Sequence, residues 1–340
     1  MKARLFLAFV SGLISGAVNV AIAQTNPATM KAVVANQSGG PEVLKYQDAP
    51  KPEPKDDEIL VRVIAAGVNP VDSYVRQGRF GKRASGPLII GYDIAGVVEK
   101  TGANAKKFKP GDGVYCYLSI TRGGGYAEFA VAKESETARK PKNIDFVEAA
   151  AVPLAATTAW QALIDSAKIK KGQTVLIHGG SGGVGSFAIP IAKARGMKVI
   201  ATASTAHQAT LKQLGVDQAI DYTTTKFEDV VKDVDVVLNC VRADALARSY
   251  GVVKKGGMIV SITDEPDQTE CAKHSITCSR MGAHPDSTVL EELTKLIEAG
   301  KMKPIVSQTF PLSDANKAHE QIETRHTLGK IVLKVADEKK

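Results

Sequence analysis

Two patterns of apolar and polar positions follow one another along the chain. In the first half, short alternating apolar runs are separated by Gly and Pro clusters: Ala32–Ala35, Ile59–Ala65, and the runs within GYDIAGVVEKTG (91–102), GDGVYCYL (111–118) and YAEFAVA (126–132). Repeated short strands with turn signals predict an all-β, barrel-like unit. Near Val147 the pattern changes to an Ala-rich stretch with helical spacing, VEAAAVPLAATTAWQALIDSAKI. From Gln173 strands and helices alternate. The predicted strands are Thr174–His178, Lys198–Ala203, Gln218–Asp221, Asp235–Asn239 and Met258–Ile262, with helices at Val184–Ala194 and His207–Leu214. That alternation predicts a parallel sheet covered by helices on both faces. A last helix and a final β-run, within FPLSDANKAHEQIETRHTLGKIVLKV, are placed to fold back onto the first unit. Arg76–Pro87 and Asp264–His284 carry no readable periodicity.

The extreme N-terminus reads differently. Lys2 and Arg4 precede an apolar run, Leu5–Ala23, that ends in Ala21-x-Ala23 before Gln24. This is the three-part form of a secretory signal peptide, residues 1–23, and it predicts export to the periplasm or beyond. The competing reading is a cytoplasmic protein that starts at Met30, where MKAVV resembles an ordinary first strand. No later stretch approaches ~18 unbroken apolar residues, so no membrane span is expected after cleavage. The 340 residues carry a net charge of +8, but the basic residues are dispersed rather than striped with aromatics, which argues against nucleic-acid binding. Cys271 and Cys278 are close enough to be joined by a bend; a disulfide and two free thiols both remain open.

Gly180-Ser181-Gly182-Gly183-Val184-Gly185 satisfies G-x-G-x-x-G in its required context, after a strand and before a helix. Gly180 is read as the tight turn, Gly182 as the point of close approach for a pyrophosphate, and Gly185 as the point where the helix packs on the strand. The helix N-terminus would offer free N–H groups to the phosphates. A site for NAD normally carries Asp or Glu at the end of the next strand. Here that strand ends in Ser204 and Thr205, with no carboxylate, which favours NADP(H).

On these segments the chain resembles the medium-chain dehydrogenase/reductase superfamily, and within it the zinc-free quinone oxidoreductase (zeta-crystallin-like) and enoyl reductase branch. The resemblance rests on AAGVNPVDSYVRQG (65–78), GYDIAGVVEKTG (91–102), FKPGDGVY (108–115), EAAAVPLAATTAWQAL (148–163), HGGSGGVG (178–185) and GKIVLKV (329–335), in that order. It implies an α/β protein with a GroES-like barrel built from both chain ends (24–153 and 300–340) and a Rossmann domain between them (154–299). It implies hydride transfer from NADPH to a quinone or an α,β-unsaturated carbonyl, and a homodimer formed through the edges of the Rossmann sheets. A nucleotide-binding sensor or structural protein with little turnover is the alternative.

The resemblance also implies roles for single residues. Zinc-dependent relatives carry a Cys near the position of Asn69 and Gly-His-Glu at Gly91-Tyr92-Asp93; amide, phenol and a lone carboxylate are poor zinc ligands, so no metal is expected. Asn69, Asp72 and Tyr74 match positions beside the nicotinamide. Asn69 and Tyr74 would donate hydrogen bonds, and Asp72 would fix geometry. Thr158 matches a threonine near the nicotinamide, and Tyr222 a tyrosine near the adenosine 2′-phosphate. Lys330 would reach the cofactor. Gln208 stands where some relatives have a basic residue.

Overall fold

The protein is described here by a computed structural model covering residues 28–80, 87–242 and 244–338. The reading of residues 1–23 as a signal peptide lies outside them.

The predicted parallel sheet is present, with six strands. Its order runs Gln218–Asp221, Lys198–Ala203, Thr174–His178, Val234–Asn239, Val253–Ser261, Thr277–Arg280, and every neighbouring pair is parallel. Val175, Leu176, Ile177 and Val236–Leu238 are all buried, as expected for strands covered on both faces. One face packs on the helices Phe146–Ala150, Pro153–Trp160, Gly185–Ala194 and Ser287–Glu298, and the apolar cluster there continues into Ile64, Ala65, Ala95 and Tyr115 of the first unit. The other face packs on Phe227, Leu246, Tyr250 and Cys271.

The sixth strand, Thr277–Arg280, and the helix before it, Gln268–Lys273, fall where no periodicity was readable. The strand is short and half exposed, so it has no apolar run to announce it. A disulfide joins Cys271 on the helix to Cys278 on the strand. Cys116 and Cys240 are free.

The first unit is rich in β-structure, as expected, and is built from two sheets. A seven-stranded sheet has the path Val306–Pro311, Lys330–Lys334, Glu58–Val68, Asp93–Thr101, Gly113–Tyr117, Thr137–Arg139, with Phe129–Lys133 on the first half of Glu58–Val68. A three-stranded sheet of Thr29–Ala35, Leu44–Pro50 and Leu88–Ile89 closes beside it. The chain end does fold back: Ile331 to Lys334 pair antiparallel with Val68 to Ala65. A helix, Pro70–Arg76, interrupts the expected β pattern. Pro70 has no N–H to lose at a first helical position, and the Asp72 carboxylate accepts from the Asn69 N–H at 2.8 Å.

Candidate active site: a glycine turn and a buried polar chamber

The strand Thr174–His178 runs directly into the glycine turn. The left-handed residue is Gly179, at φ +74°, not Gly180. Gly180 is required by packing instead: a Cβ there would lie 2.8 Å from Ala201 Cβ and 2.9 Å from Leu211 Cδ2. A Cβ on Gly185 would lie 2.2 Å from the Gly179 carbonyl oxygen, so the helix starts against the turn itself. At Gly182 the only neighbour is that same oxygen at 3.4 Å, which leaves open space over the backbone. The helix Gly185–Ala194 begins there, with the Ser186 and Ala188 N–H groups turned back to the Gly182 and Val184 carbonyls. Ser181 Oγ lies 3.2 Å from His207 Nδ1. These features fit a dinucleotide pyrophosphate: backbone donors, open space and a helix N-terminus converge at one turn.

Ser204, Thr205 and Tyr222 meet at the ends of the two strands beside it, since Ala203 and Asp221 are register partners. The same pairing brings in a carboxylate where none was expected. Asp221 Oδ2 accepts from Thr205 Oγ1 at 2.5 Å, and Oδ1 accepts from Thr223 Oγ1 at 2.6 Å. Those hydroxyls hold its pKa below the usual value, so it is charged. The Thr205 hydroxyl is therefore committed to Asp221 rather than free for a phosphate. Gln208 Nε2 donates to the Ala203 and Ile220 carbonyls and ties the two strand ends together. Tyr222 is half exposed.

On the opposite side of the turn lies a buried polar chamber. Asn69, at the end of Glu58–Val68, donates from Nδ2 to Asp93 Oδ2 at 2.8 Å and accepts at Oδ1 from the Lys330 ammonium. Lys330 Nζ also donates to the Val68 carbonyl at 3.0 Å and lies 3.6 Å from the Asp93 carboxylate. Asp93 Oδ1 accepts from the Leu154 N–H at 2.7 Å. Asn69, Asp72, Asp93 and Lys330 are all within a few per cent of full burial. Asp72 adds a second carboxylate, whose Oδ2 accepts from Tyr126 OH at 2.6 Å; its Oδ1 is buried with no partner among the described residues. Burial pushes the Asp72 pKa up to about 7, against the Tyr126 and Asn69 hydrogen bonds that lower it.

Tyr126 is held in turn. Arg76 Nη1 lies 3.1 Å from His319 Nδ1 and can only donate, so that nitrogen accepts and the proton sits on Nε2, 3.3 Å from Tyr126 OH. Burial and Arg76 push the His319 pKa down to about 3, which keeps the ring neutral. Arg76 is itself buried and paired with Glu323. The chain Arg76–His319–Tyr126–Asp72 is a fixed scaffold behind Asn69.

The structure thus brings Asn69, Asp72 and Lys330 together and leaves Tyr74 apart. Tyr74 is partly exposed, and its hydroxyl lies 3.5 Å from Arg242 Nη2, which comes from the loop after Val234–Asn239. Thr158 is buried and donates back to the Leu154 carbonyl at 2.7 Å, one turn from the Leu154 N–H that binds Asp93. The helix then widens into a π-turn, Gln161–Ser166, and Gln161 pairs with the backbone of His284. Asp93, Tyr126, His319 and Asp221 were not singled out as site residues. The available signal for Asp93 was a carboxylate at the head of an otherwise apolar strand, DIAGVV.

Residues 55–142 match the alcohol dehydrogenase GroES-like domain family, and residues 214–333 match a family described as zinc-binding dehydrogenase. A chloroplastic NADPH-dependent alkenal/one oxidoreductase of Arabidopsis thaliana is 39% identical over 94% of this chain and 83% of its own length. The solved quinone oxidoreductase of Coxiella burnetii is 34% identical, with a TM-score of 0.83 over 91% of this chain and 100% of its own. This chain belongs to the medium-chain dehydrogenase/reductase superfamily. A mycobacterial member solved in complex with NADPH is 30% identical over 90% of this chain and 100% of its own, with a TM-score of 0.81. Against the description of the second matched family, the donor set of this superfamily member is poor in zinc ligands. Among the described residues no three His, Cys, Asp or Glu side chains converge to hold a metal, and the Asn69–Asp93 pair is already engaged by an ammonium.

Proposed function

We propose that the protein is an NADPH-dependent oxidoreductase that reduces quinones or α,β-unsaturated carbonyls without zinc. The observation that carries this reading is the juxtaposition, through Gly329–Lys330, of a dinucleotide turn with a cluster of buried polar side chains. The Gly329 N–H donates to the Ser181 carbonyl at 2.8 Å, and Lys330 reaches Asn69. The relatives' names supply the substrate classes.

NADPH, when bound, supplies a hydride from its nicotinamide ring. The residues to hold it are the backbone of Ser181–Gly185, with Ser204 and Tyr222 at the ribose end. Asn69 contributes the donor on the reacting side: one Nδ2 hydrogen is taken by Asp93, and the second is left for an acceptor oxygen as charge develops there. Tyr74 and Arg242 form the outer wall. Thr158 and the Leu154 turn behind it support Asp93 rather than touch substrate. The role of zinc as a Lewis acid is assigned to fixed hydrogen-bond donors. The test is a steady-state assay following NADPH consumption with a panel of small quinones and enones, alongside metal analysis of the purified protein. Tight NADPH binding with no turnover on any acceptor would point to a sensor instead. Loss of activity on chelation would restore a metal.

Two domains are proposed on the resemblance, residues 24–153 with 300–340 and residues 154–299. Export is proposed from the 1–23 segment, and the Cys271–Cys278 disulfide suits an oxidising compartment. A start at Met30 is the competing case, and N-terminal sequencing of the protein from separated cell fractions decides between them. A homodimer through the free edges of the six-stranded sheet is proposed on the resemblance, with light scattering as its test.

A further inference from the structure

We propose that Lys330 is a positioning residue for this reaction: its ammonium fixes the Asn69 amide in one orientation and fastens that amide to the glycine turn. The inference rests on the function proposed above. Three observations carry it. The ammonium donates to Asn69 Oδ1 and to the Val68 carbonyl, and Asp93 accepts from Asn69 Nδ2. A cation on one side of the amide and an anion on the other leave it a single orientation, since a flip would set Nδ2 against the ammonium and Oδ1 against the carboxylate. The Lys330 stem also lies over the turn, where a Cβ on Gly183 would sit 3.3 Å from Lys330 Cδ. Its neighbour Gly329 is pinned to the Ser181 carbonyl at 2.8 Å. One side chain therefore spans from the place where the cofactor's phosphates would lie to the donor on the reacting side.

The charges around the chamber are consistent with that role. Lys330 faces Asp93 and Asp72, with Tyr126 behind Asp72 and neutral His319 behind Tyr126. Burial lowers the Lys330 pKa and the two carboxylates raise it. A lysine placed to bind phosphate would turn its ammonium toward the turn; this one is aimed away from it and is almost fully buried.

The test uses the full-length protein as Lys330→Met and as Lys330→Met/Asp93→Asn. The double variant removes both partners of the buried Lys330–Asp93 pair, so neither is left as an uncompensated charge if the single variant is unstable. Three readouts are needed: kcat with a quinone, NADPH affinity by fluorescence, and the Asn69 side-chain amide signals in Asn-labelled protein. The expected result is a fall in kcat of about 10²-fold in both variants, because misplacing a reacting-side group costs on that scale. NADPH affinity should stay within about threefold, less than half of the free energy of a tenfold change. The Asn69 amide signals should broaden or shift in both. Recovery of kcat in the double variant would reduce Lys330 to charge compensation and overturn the proposal. So would a loss of NADPH affinity that accounts for the lost rate, which would make Lys330 a cofactor ligand. If the wild-type protein turns over no acceptor, the proposed function fails by itself. Unshifted Asn69 signals in the two variants would then separately sink the positioning role.

Discussion

Two glycines three positions apart in a dinucleotide turn are usually treated alike, yet the geometry here gives them opposite consequences. Consider Gly185→Ala and Gly182→Ala. At Gly185 the new methyl would lie 2.2 Å from the Gly179 carbonyl oxygen and 2.7 Å from Gly180 Cα, both backbone atoms. Relief needs the start of the helix Gly185–Ala194 to retreat by roughly 1 Å, to reach ordinary contact at about 3.5 Å. Overpacking of that kind costs about 1–3 kcal/mol, or a fall in Tm of roughly 2–10 °C for a unit of this size. At Gly182 the methyl meets one atom at 3.4 Å, so stability should change by less than about 0.5 kcal/mol. The methyl would instead occupy the open space where a pyrophosphate approaches. NADPH affinity should fall at least about tenfold, or 1.4 kcal/mol. The assay is thermal unfolding of both apo variants, followed by NADPH titration. A Gly182→Ala protein that binds NADPH like wild type would refute the placement of the phosphates. A Gly185→Ala protein with unchanged unfolding would refute the packing argument.

Three further outcomes follow from the same structure. The Asp72 carboxyl, raised from 3.8 to about 7, keeps in the folded state a proton that the unfolded chain has lost. Its contribution is therefore complete below about pH 4 and is lost as pH rises through 7, by about 4 kcal/mol in total; urea unfolding of Asp72→Asn between pH 5 and pH 8 should show a flatter dependence than wild type, and parallel curves would contradict this. Replacing Cys271 and Cys278, seven residues apart, by Ser removes a short-loop constraint worth roughly 2–3 kcal/mol. The double variant should unfold earlier than oxidised wild type and match wild type kept in reductant. Asp221→Asn removes the charge beside Thr205, so NADPH should bind more tightly by about threefold or more while NADH changes little; equal effects on both would mean that this carboxylate lies away from the ribose.

The Rossmann half was legible because its signals are local. Thr174–His178, Lys198–Ala203 and Gln218–Asp221 are strands as expected, since each is a short run rich in apolar and β-branched residues closed by turn residues. The glycine turn was legible in kind, but HGGSGG offers adjacent glycines, and only the tertiary structure distinguishes a backbone need at Gly179 from a packing need at Gly180. The chamber was the hardest to read. Asn69 meets Asp93 across 24 positions and Lys330 across 261, and no periodicity reports contacts of that range. At the start of the Pro70–Arg76 helix the Asp72 carboxylate accepts the Asn69 N–H, while the Asn69 side chain turns away to Asp93 and Lys330. Lys330 in GKIVL looked like a lysine reaching the cofactor. Its burial follows from strand pairing with Glu58–Val68, which the local sequence does not contain.

That last strand also sets the order in which the molecule can be made. Lys330–Lys334 lies between Val306–Pro311 and Glu58–Val68, and Lys330 to Leu333 are buried. The first half of the chain therefore emerges from synthesis with an open seam in its main sheet and must wait for the final residues to close it. The middle of the chain has its six strands complete by Arg280 and its covering helices complete by Glu298, so its sheet has no such dependence on the last strand. Assembly accordingly runs from the centre outward, and the piece synthesised first is finished last. A chain arrested before residue 330 should hold its nucleotide-binding half in a protease-resistant form while the half ahead of it stays open to cleavage.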